Sequence, residues 1–129
     1  MVKIALCDDD SRCLKDLEKL IKKWLDANSA RADVVTFSDG DALLTACKSI
    51  PFDIIFLDVM MPLLNGLDTA RELRTAHVSS KIIFLSSSPE FALESYEVKA
   101  TNYLVKPPTY LSVGNTLRDC LSDFENEHQ

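Results

Sequence analysis

Histidine is nearly missing from this sequence: His77 and His128 are the only two in 129 residues, and they stand far apart among polar neighbours. A histidine-based zinc or catalytic centre therefore has little support. Four cysteines, Cys7, Cys13, Cys47 and Cys120, include no C-x-x-C pair. They read as small reduced residues, Cys7 in a strand and the others in helices. Basic side chains are outnumbered, 14 Lys and Arg against 20 Asp and Glu, for a net charge of −6. That balance lacks the basic footprint that direct binding to nucleic acid or to an anionic membrane requires. No apolar run approaches the ~20 residues of a membrane span, and no secretory signal pattern precedes the first strand. A cytoplasmic protein is the resulting expectation. The length suits one domain with a real core, and 47% hydrophobic and 26% charged residues are ordinary for a globular chain.

What the sequence does contain is a short apolar run, Ile54-Ile55-Phe56-Leu57, that stops at Asp58 and is followed by Pro62. The run is too short for a helix and apolar on both faces, as in a central strand of a parallel sheet covered by helices. Asp58 then lies at the carboxyl end of the strand, the edge at which open α/β sheets bind ligands.

The rest of the chain repeats this unit. Val2–Cys7 reads as a first strand ending in Asp8-Asp9-Asp10, with Ser11 as the N-cap of an amphipathic helix that carries Leu14, Leu17, Ile21, Trp24 and Leu25 to about Ala27. Val34–Phe37 is a second strand. Ser38-Asp39-Gly40-Asp41 resembles a capping arrangement before a helix through Leu43 and Cys47 that Pro51 forbids from continuing. After the Asp58 strand, Pro62–Gly66 is a loop, and Asp68–Thr75 is a third helix. Lys81–Leu85 is a fourth strand ending in Ser86-Ser87-Ser88. Ser88 caps a short fourth helix, Glu90–Val98, with Pro89 in its first turn. Asn102–Val105 is a fifth strand closed by Lys106-Pro107-Pro108, and a last helix runs from Tyr110 to about Phe124 before a polar end that frays. Five strands alternating with five helices predict an α/β, doubly wound five-stranded parallel sheet of flavodoxin-like order 2-1-3-4-5.

In a parallel sheet all carboxyl ends share one edge, so Asp8-Asp9-Asp10, Asp58, Ser86 and Lys106 can converge. Clustered carboxylates repel and raise one another's pKa values unless a cation lies among them. Oxygen donors without His or Cys favour a hard divalent ion such as Mg²⁺. Lys106 and Ser86 supply a positive charge and a hydroxyl donor suited to phosphoryl oxygens, and Asp58 would be the nucleophile, since a carboxylate can form an aspartyl phosphate. Taken singly, each residue is equally at home in a turn, a cap or a solvated loop. It is the combination at four strand ends that points to chemistry.

Asp8-Asp9, Asp58-Val59-Met60-Met61-Pro62-x-x-x-Gly66, Ser86 and Lys106-Pro107 together resemble the motif set of a response-regulator receiver domain of two-component signalling, with residues 1–122 as the receiver and 123–129 as a polar tail. The resemblance implies phosphoryl transfer from a sensor histidine kinase to Asp58. It implies Mg²⁺, with Mn²⁺ as a substitute, held by Asp9 and Asp58 directly, by Asp8 through water and by the Met60 backbone carbonyl. Lys106 would pair with the phosphoryl group beside a cis Lys106–Pro107 bond. Ser86 and Tyr103 would be the switch pair that reshapes the face of the fourth helix, fifth strand and fifth helix, where a partner or a second copy docks. Met60 and Ser88 occupy the positions that tune hydrolysis of the acyl phosphate.

Ile82-Ile83-Phe84-Leu85-Ser86, Glu90–Val98 and Ala100–Pro107 are further similar to receivers of the LytTR transcription-factor group, which implies a separate DNA-binding domain after the receiver. Two alternatives are a stand-alone receiver in a phosphorelay and a Mg²⁺-dependent aspartyl-phosphate phosphohydrolase. Haloacid-dehalogenase-like phosphatases place a general acid two residues after the nucleophile. Met60 occupies that position here and cannot transfer a proton, so a signalling switch rather than an enzyme is expected.

Overall fold

The computed structural model describes residues 1–127. Strands β1 (Val2–Cys7), β2 (Ala32–Phe37), β3 (Ile54–Asp58), β4 (Lys81–Ser86) and β5 (Asn102–Val105) alternate with helices α1 (Ser11–Ala27), α2 (Gly40–Cys47), α3 (Gly66–Thr75), α4 (Ala92–Glu97) and α5 (Tyr110–Glu127). All strand pairs are parallel, in the order β2-β1-β3-β4-β5. This is the flavodoxin-like order expected from the sequence.

Strand alternation divides the core into two layers. Ile4, Leu6, Ile54, Phe56, Ile83 and Leu85 pack under α1 and α5 with Trp24, Val113 and Leu117. Ala5, Cys7, Ile55, Leu57, Ile82 and Phe84 face the other way, against Leu43, Leu67, Ala70 and Leu73 of α2 and α3. Both faces of β3 are buried along its whole length, which explains why its sequence does not alternate. The chain winds outward from β1 to β2 and then crosses to β3. The switch point therefore lies between β1 and β3, and Asp8 and Asp58 leave the sheet there.

Several boundaries differ from the sequence expectation, each for a local reason. Asp10, not Ser11, is the N-cap of α1: its carboxylate accepts from the Arg12 and Cys13 amides at 3.0 and 3.2 Å. Asp39 caps α2 by accepting from the Ala42 amide at 2.7 Å. Asn65 accepts from the Asp68 amide and starts α3 at Gly66, two residues early. The fourth helix is split. Ser88 caps a 3₁₀ turn over Pro89–Phe91, and α4 proper follows with Ser95 as its one buried residue. The last helix continues past Phe124 to Glu127, while the remaining tail positions, His128 included, lie outside the described residues.

With only three glycines in the chain, helices α1, α3 and α4 turn out through Ser29 (φ 52°), His77 (φ 62°) and Lys99 (φ 55°). Each turn is closed by an amide reaching five residues back: Ala30 to the Leu25 carbonyl, Val78 to Leu73 and Ala100 to Ser95. Gly66 is different, because space rather than φ demands glycine there. A Cβ at this position would collide with the Asp58 carbonyl oxygen, and the Gly66 amide bonds the Val59 carbonyl at 2.9 Å. Gly66→Ala should therefore push the β3 exit out of place and cost about 2 kcal/mol or more of stability. Denaturant unfolding measures this cost, and an unchanged midpoint would show that the loop yields freely.

Candidate functional site

Asp8 leaves β1 almost buried, 6% exposed, and its neighbours take different paths. Its Oδ1 accepts from the Asp10 amide at 2.9 Å, a bond that turns the chain and commits Asp10 to capping α1. Only two of the three consecutive acids therefore serve the site, with Asp9 exposed beside Asp8. Asp58 ends β3 at 4% exposure. Carboxylate oxygens of Asp8, Asp9 and Asp58 all lie within 4.8 Å of one another.

Lys106 follows β5 and reaches across two strands. Its ammonium donates to Asp8 Oδ2 at 2.8 Å and lies 3.1 Å from Asp58 Oδ1. The Lys106 backbone amide bonds the Ser86 carbonyl at 2.7 Å, which fixes where the side chain starts. The Lys106–Pro107 peptide is cis, as the motif resemblance implies. Ser86 ends β4, one residue beyond Leu85, the register partner of Asp58. It is fully buried, and its hydroxyl accepts from the Ser88 amide at 3.2 Å. Tyr103, half-buried on edge strand β5, tilts against Phe84 and donates its hydroxyl to the Ser88 carbonyl at 2.7 Å. Met60 projects its side chain to solvent, 58% exposed.

The electrostatics follow from this packing. Burial, then the charge of Asp8, pushes the Asp58 carboxyl from 3.8 to about 6, and the nearby ammonium only partly offsets them. Burial works against the charge of Lys106, but its hydrogen bond to Asp8 and the charge of Asp58 prevail and raise its pKa. The Cys7 thiol, one residue before Asp8, is pushed up to about 12 by burial and by Asp39, Asp8 and Asp58, so it is no competing nucleophile. One ammonium among three carboxylates leaves an excess of negative charge. The donor set is all oxygen, without histidine or cysteine. These residues fit a hard divalent cation.

Residues 4–112 match the response regulator receiver domain. The chain belongs to that family. It is 34% identical over 104 residues to a positive alginate biosynthesis regulatory protein of Pseudomonas aeruginosa, covering 81% of this chain and 41% of that protein. It is 37% identical over 108 residues to the transcriptional regulatory protein CpxR of Klebsiella pneumoniae, covering 83% and 44%. The response regulatory domain of protein mrkE from Klebsiella pneumoniae superposes with a TM-score of 0.86 at 25% identity, covering 97% of this chain and 99% of that domain. The chain thus spans less than half the length of the two regulators.

The receiver fold brings Asp8, Asp9, Asp58 and Lys106 into one cluster and Ser86 to the adjoining strand end, while Tyr103 reaches the loop after β4. What the sequence reading missed was the division of labour within Asp8-Asp9-Asp10. The signal was present, since Asp10 stands three residues before Cys13, the N-cap spacing, but Ser11 offered the same chemistry one residue on.

Because the folded Asp58 holds its proton more tightly than the unfolded one, stability falls as pH rises from about 3.8 to about 6 and stays reduced above that. Asp58→Asn removes the buried charge. Without divalent ions it should raise the stability at pH 7 by about 1 kcal/mol, a gain that fades towards pH 4. Thermal melts across this range test it, and a gain that grows in acid would show that burial and the repulsion from Asp8 are not its cause.

Proposed function

We propose that this receiver accepts a phosphoryl group on Asp58 from a phosphohistidine of a sensor histidine kinase and acts as a switch rather than as a turnover enzyme. The observation that carries the reading is the Lys106 ammonium bonded to Asp8 at 2.8 Å and 3.1 Å from Asp58, with Asp9 beside them. An Asp58 carboxylate oxygen attacks phosphorus, the phosphorus–nitrogen bond to imidazole breaks, and the freed imidazole takes a proton from solvent. Lys106 is placed to pair with the transferred group's oxygens, and Ser86 to donate its hydroxyl to them. Mg²⁺, or Mn²⁺ in its place, would be held by Asp9, Asp58, the Met60 carbonyl and, through water, Asp8. When bound, it offsets the charge that phosphoryl transfer concentrates there.

A phosphoryl group adds about 1.5 to 2 negative charges at Asp58. In this reading Ser86 turns towards them and releases the Ser88 amide, and Tyr103, bonded to the Ser88 carbonyl, follows. Their movement reshapes the face of α4, β5 and α5, where Leu93 and Tyr96 are each 79% exposed, Leu111 71% and Val105 49%. A second copy or an output partner docks there. We read the whole protein as a cytoplasmic transcription regulator of LytTR type, with residues 1–122 as its receiver and a polar segment from 123. The regulatory names of its relatives and the share of their length that it spans support a transcription regulator, and the LytTR type rests on the motif resemblance alone. No helix among the described residues is long and apolar enough to cross a membrane. The phosphohydrolase alternative is disfavoured by Met60, an exposed thioether where a general acid would be needed.

Acetyl phosphate with Mg²⁺ should add one phosphoryl mass, about 80 Da, to the intact protein. The gain should be abolished by EDTA and by Asp58→Asn, and Lys106→Ala should slow it at least about tenfold. A mass gain surviving in Asp58→Asn would overturn the assignment. The Ser88 hydroxyl already accepts from the Glu90 amide at 3.2 Å, and Met60 has no group to orient water. Met60→Asn should therefore shorten the lifetime of the phosphorylated form, on the order of tenfold, as read by the decay of that mass peak. An unchanged lifetime would remove Met60 from hydrolysis control.

A further inference from the structure

The end of the sheet opposite Asp58 carries charge of the other sign. A cavity of about 420 Å³ opens where α3 and α4 end and β4 begins, lined by Arg74, His77, Lys81 and Lys99 together with Ser79 and Thr101. Among the described residues, no carboxylate side chain lines it. In a chain of net charge −6, three cations and an imidazole around one cavity with no acid among its described lining residues reverse the local field. Among the described residues, the one ion pair made by any of them joins Lys81 to Asp123 at 3.4 Å, with Asp123 59% exposed.

Two independent features make this more than a scatter of surface lysines. Arg74 is a fixed floor. Its Nε donates to the Val98 carbonyl at 2.7 Å, Nη1 to the Val78 and Ser80 carbonyls at 2.7 and 2.9 Å, and Nη2 to the Lys99 carbonyl at 3.3 Å. A guanidinium has five N–H groups, so these bonds leave one of them over, and among the described residues no carboxylate pairs with the charge. The second feature is backbone geometry. His77 and Lys99 hold the left-handed positions that end α3 and α4, φ 62° and 55°, where glycine is the unstrained choice. Both strained residues carry nitrogen-bearing side chains that line the same cavity. A cation near a helix C-terminus also complements the helix dipole. That explanation does not extend to Lys81, which begins a strand, and Arg74 already bonds the carbonyls at these helix ends.

We propose that this pocket binds a small polyanion with the charge and size of a diphosphate group. The volume falls within the range of small-molecule sites. The donors are of the kinds that hold phosphate oxygens: a fixed guanidinium, two ammonium groups, an imidazole and hydroxyls. The site shares no residue with the Asp58 cluster.

The test is a titration of the isotope-labelled, metal-free protein with sodium pyrophosphate, followed by amide chemical shifts. Shifts should concentrate at residues 77–81 and 99–101 with a dissociation constant below about 1 mM. Lys99→Glu should weaken binding at least about tenfold. Lys99→Gly removes the charge while relieving the backbone, so it should weaken binding in a protein that melts no lower. Asp58→Asn should leave the titration unchanged, which separates this pocket from the acidic site. Citrate and inorganic phosphate compared with pyrophosphate tell a polycarboxylate ligand from a phosphate one. Shifts reproduced by sodium chloride at matched ionic strength, centred on Lys106 or the α1 lysines, or unaffected by Lys99→Gly would each overturn the proposal.

Discussion

Two carboxylates buried side by side repel, and the receiver holds Asp8 and Asp58 in that arrangement at the switch point of its sheet. The Lys106 ammonium, 2.8 Å from Asp8 and 3.1 Å from Asp58, is the protein's own partial remedy. It is incomplete, since Asp58 stays well above its ordinary pKa. The site is therefore built with an unmet demand for positive charge. Much of the surrounding structure keeps that demand in place. The buried β3 carries Asp58 to the rim, Gly66 lets the following loop fold back against it, and Asp10 turns the chain away after Asp8 and Asp9. The backbone bond from Lys106 to Ser86 ties β5 to β4 at the same edge.

Helix α4 is held differently at its two ends. Its own turns bury only Ser95, so little hydrophobic free energy fixes it. The segment leading into it is tied to the acidic site through the Ser86 hydroxyl, the Ser88 amide and the Tyr103 hydroxyl. Its far end is pinned by Arg74, which bonds the carbonyls of Val98 and Lys99, and by Val98 in the core. A short element anchored at one end and wired to a charge-sensitive site at the other is suited to small, directed displacement. The exposed Leu93 and Tyr96 lie on this element, so packing does little to fix the face they present.

Family membership and the cluster geometry support one another without being the same argument. A receiver could keep its fold and lose its acids, as fold alone does not carry function. In this chain the acids, the lysine and the buried serine are all in place. The relatives add context, since this chain aligns with less than half of each regulator's length. The basic pocket at the opposite end draws on neither the family nor the acidic site, only on where α3, α4 and β4 meet.

How much was legible in the sequence depends on the range of the interactions. Strand and helix order, the two-sided burial of β3 and the set Asp8, Asp9, Asp58, Ser86 and Lys106 could be read directly. Apolar period and abrupt polar stops are local signals, and a parallel sheet has only one carboxyl edge on which to gather them. Cap positions were less secure, because Asp10 and Ser11 offer nearly the same hydrogen bond and only the path of the chain after Asp8 chooses between them. The fourth helix broke into a 3₁₀ turn and a short α-helix because its entry is tied to β4 and β5, ties no residue pattern records. Lys106 could be named as a cation near Asp58, but its bridge to Asp8 exists only once the sheet order sets β3 and β4 between β5 and β1. Arg74, His77, Lys81 and Lys99 were invisible as a group. Their proximity is made entirely by two helix ends and a strand start meeting at the far edge of the sheet.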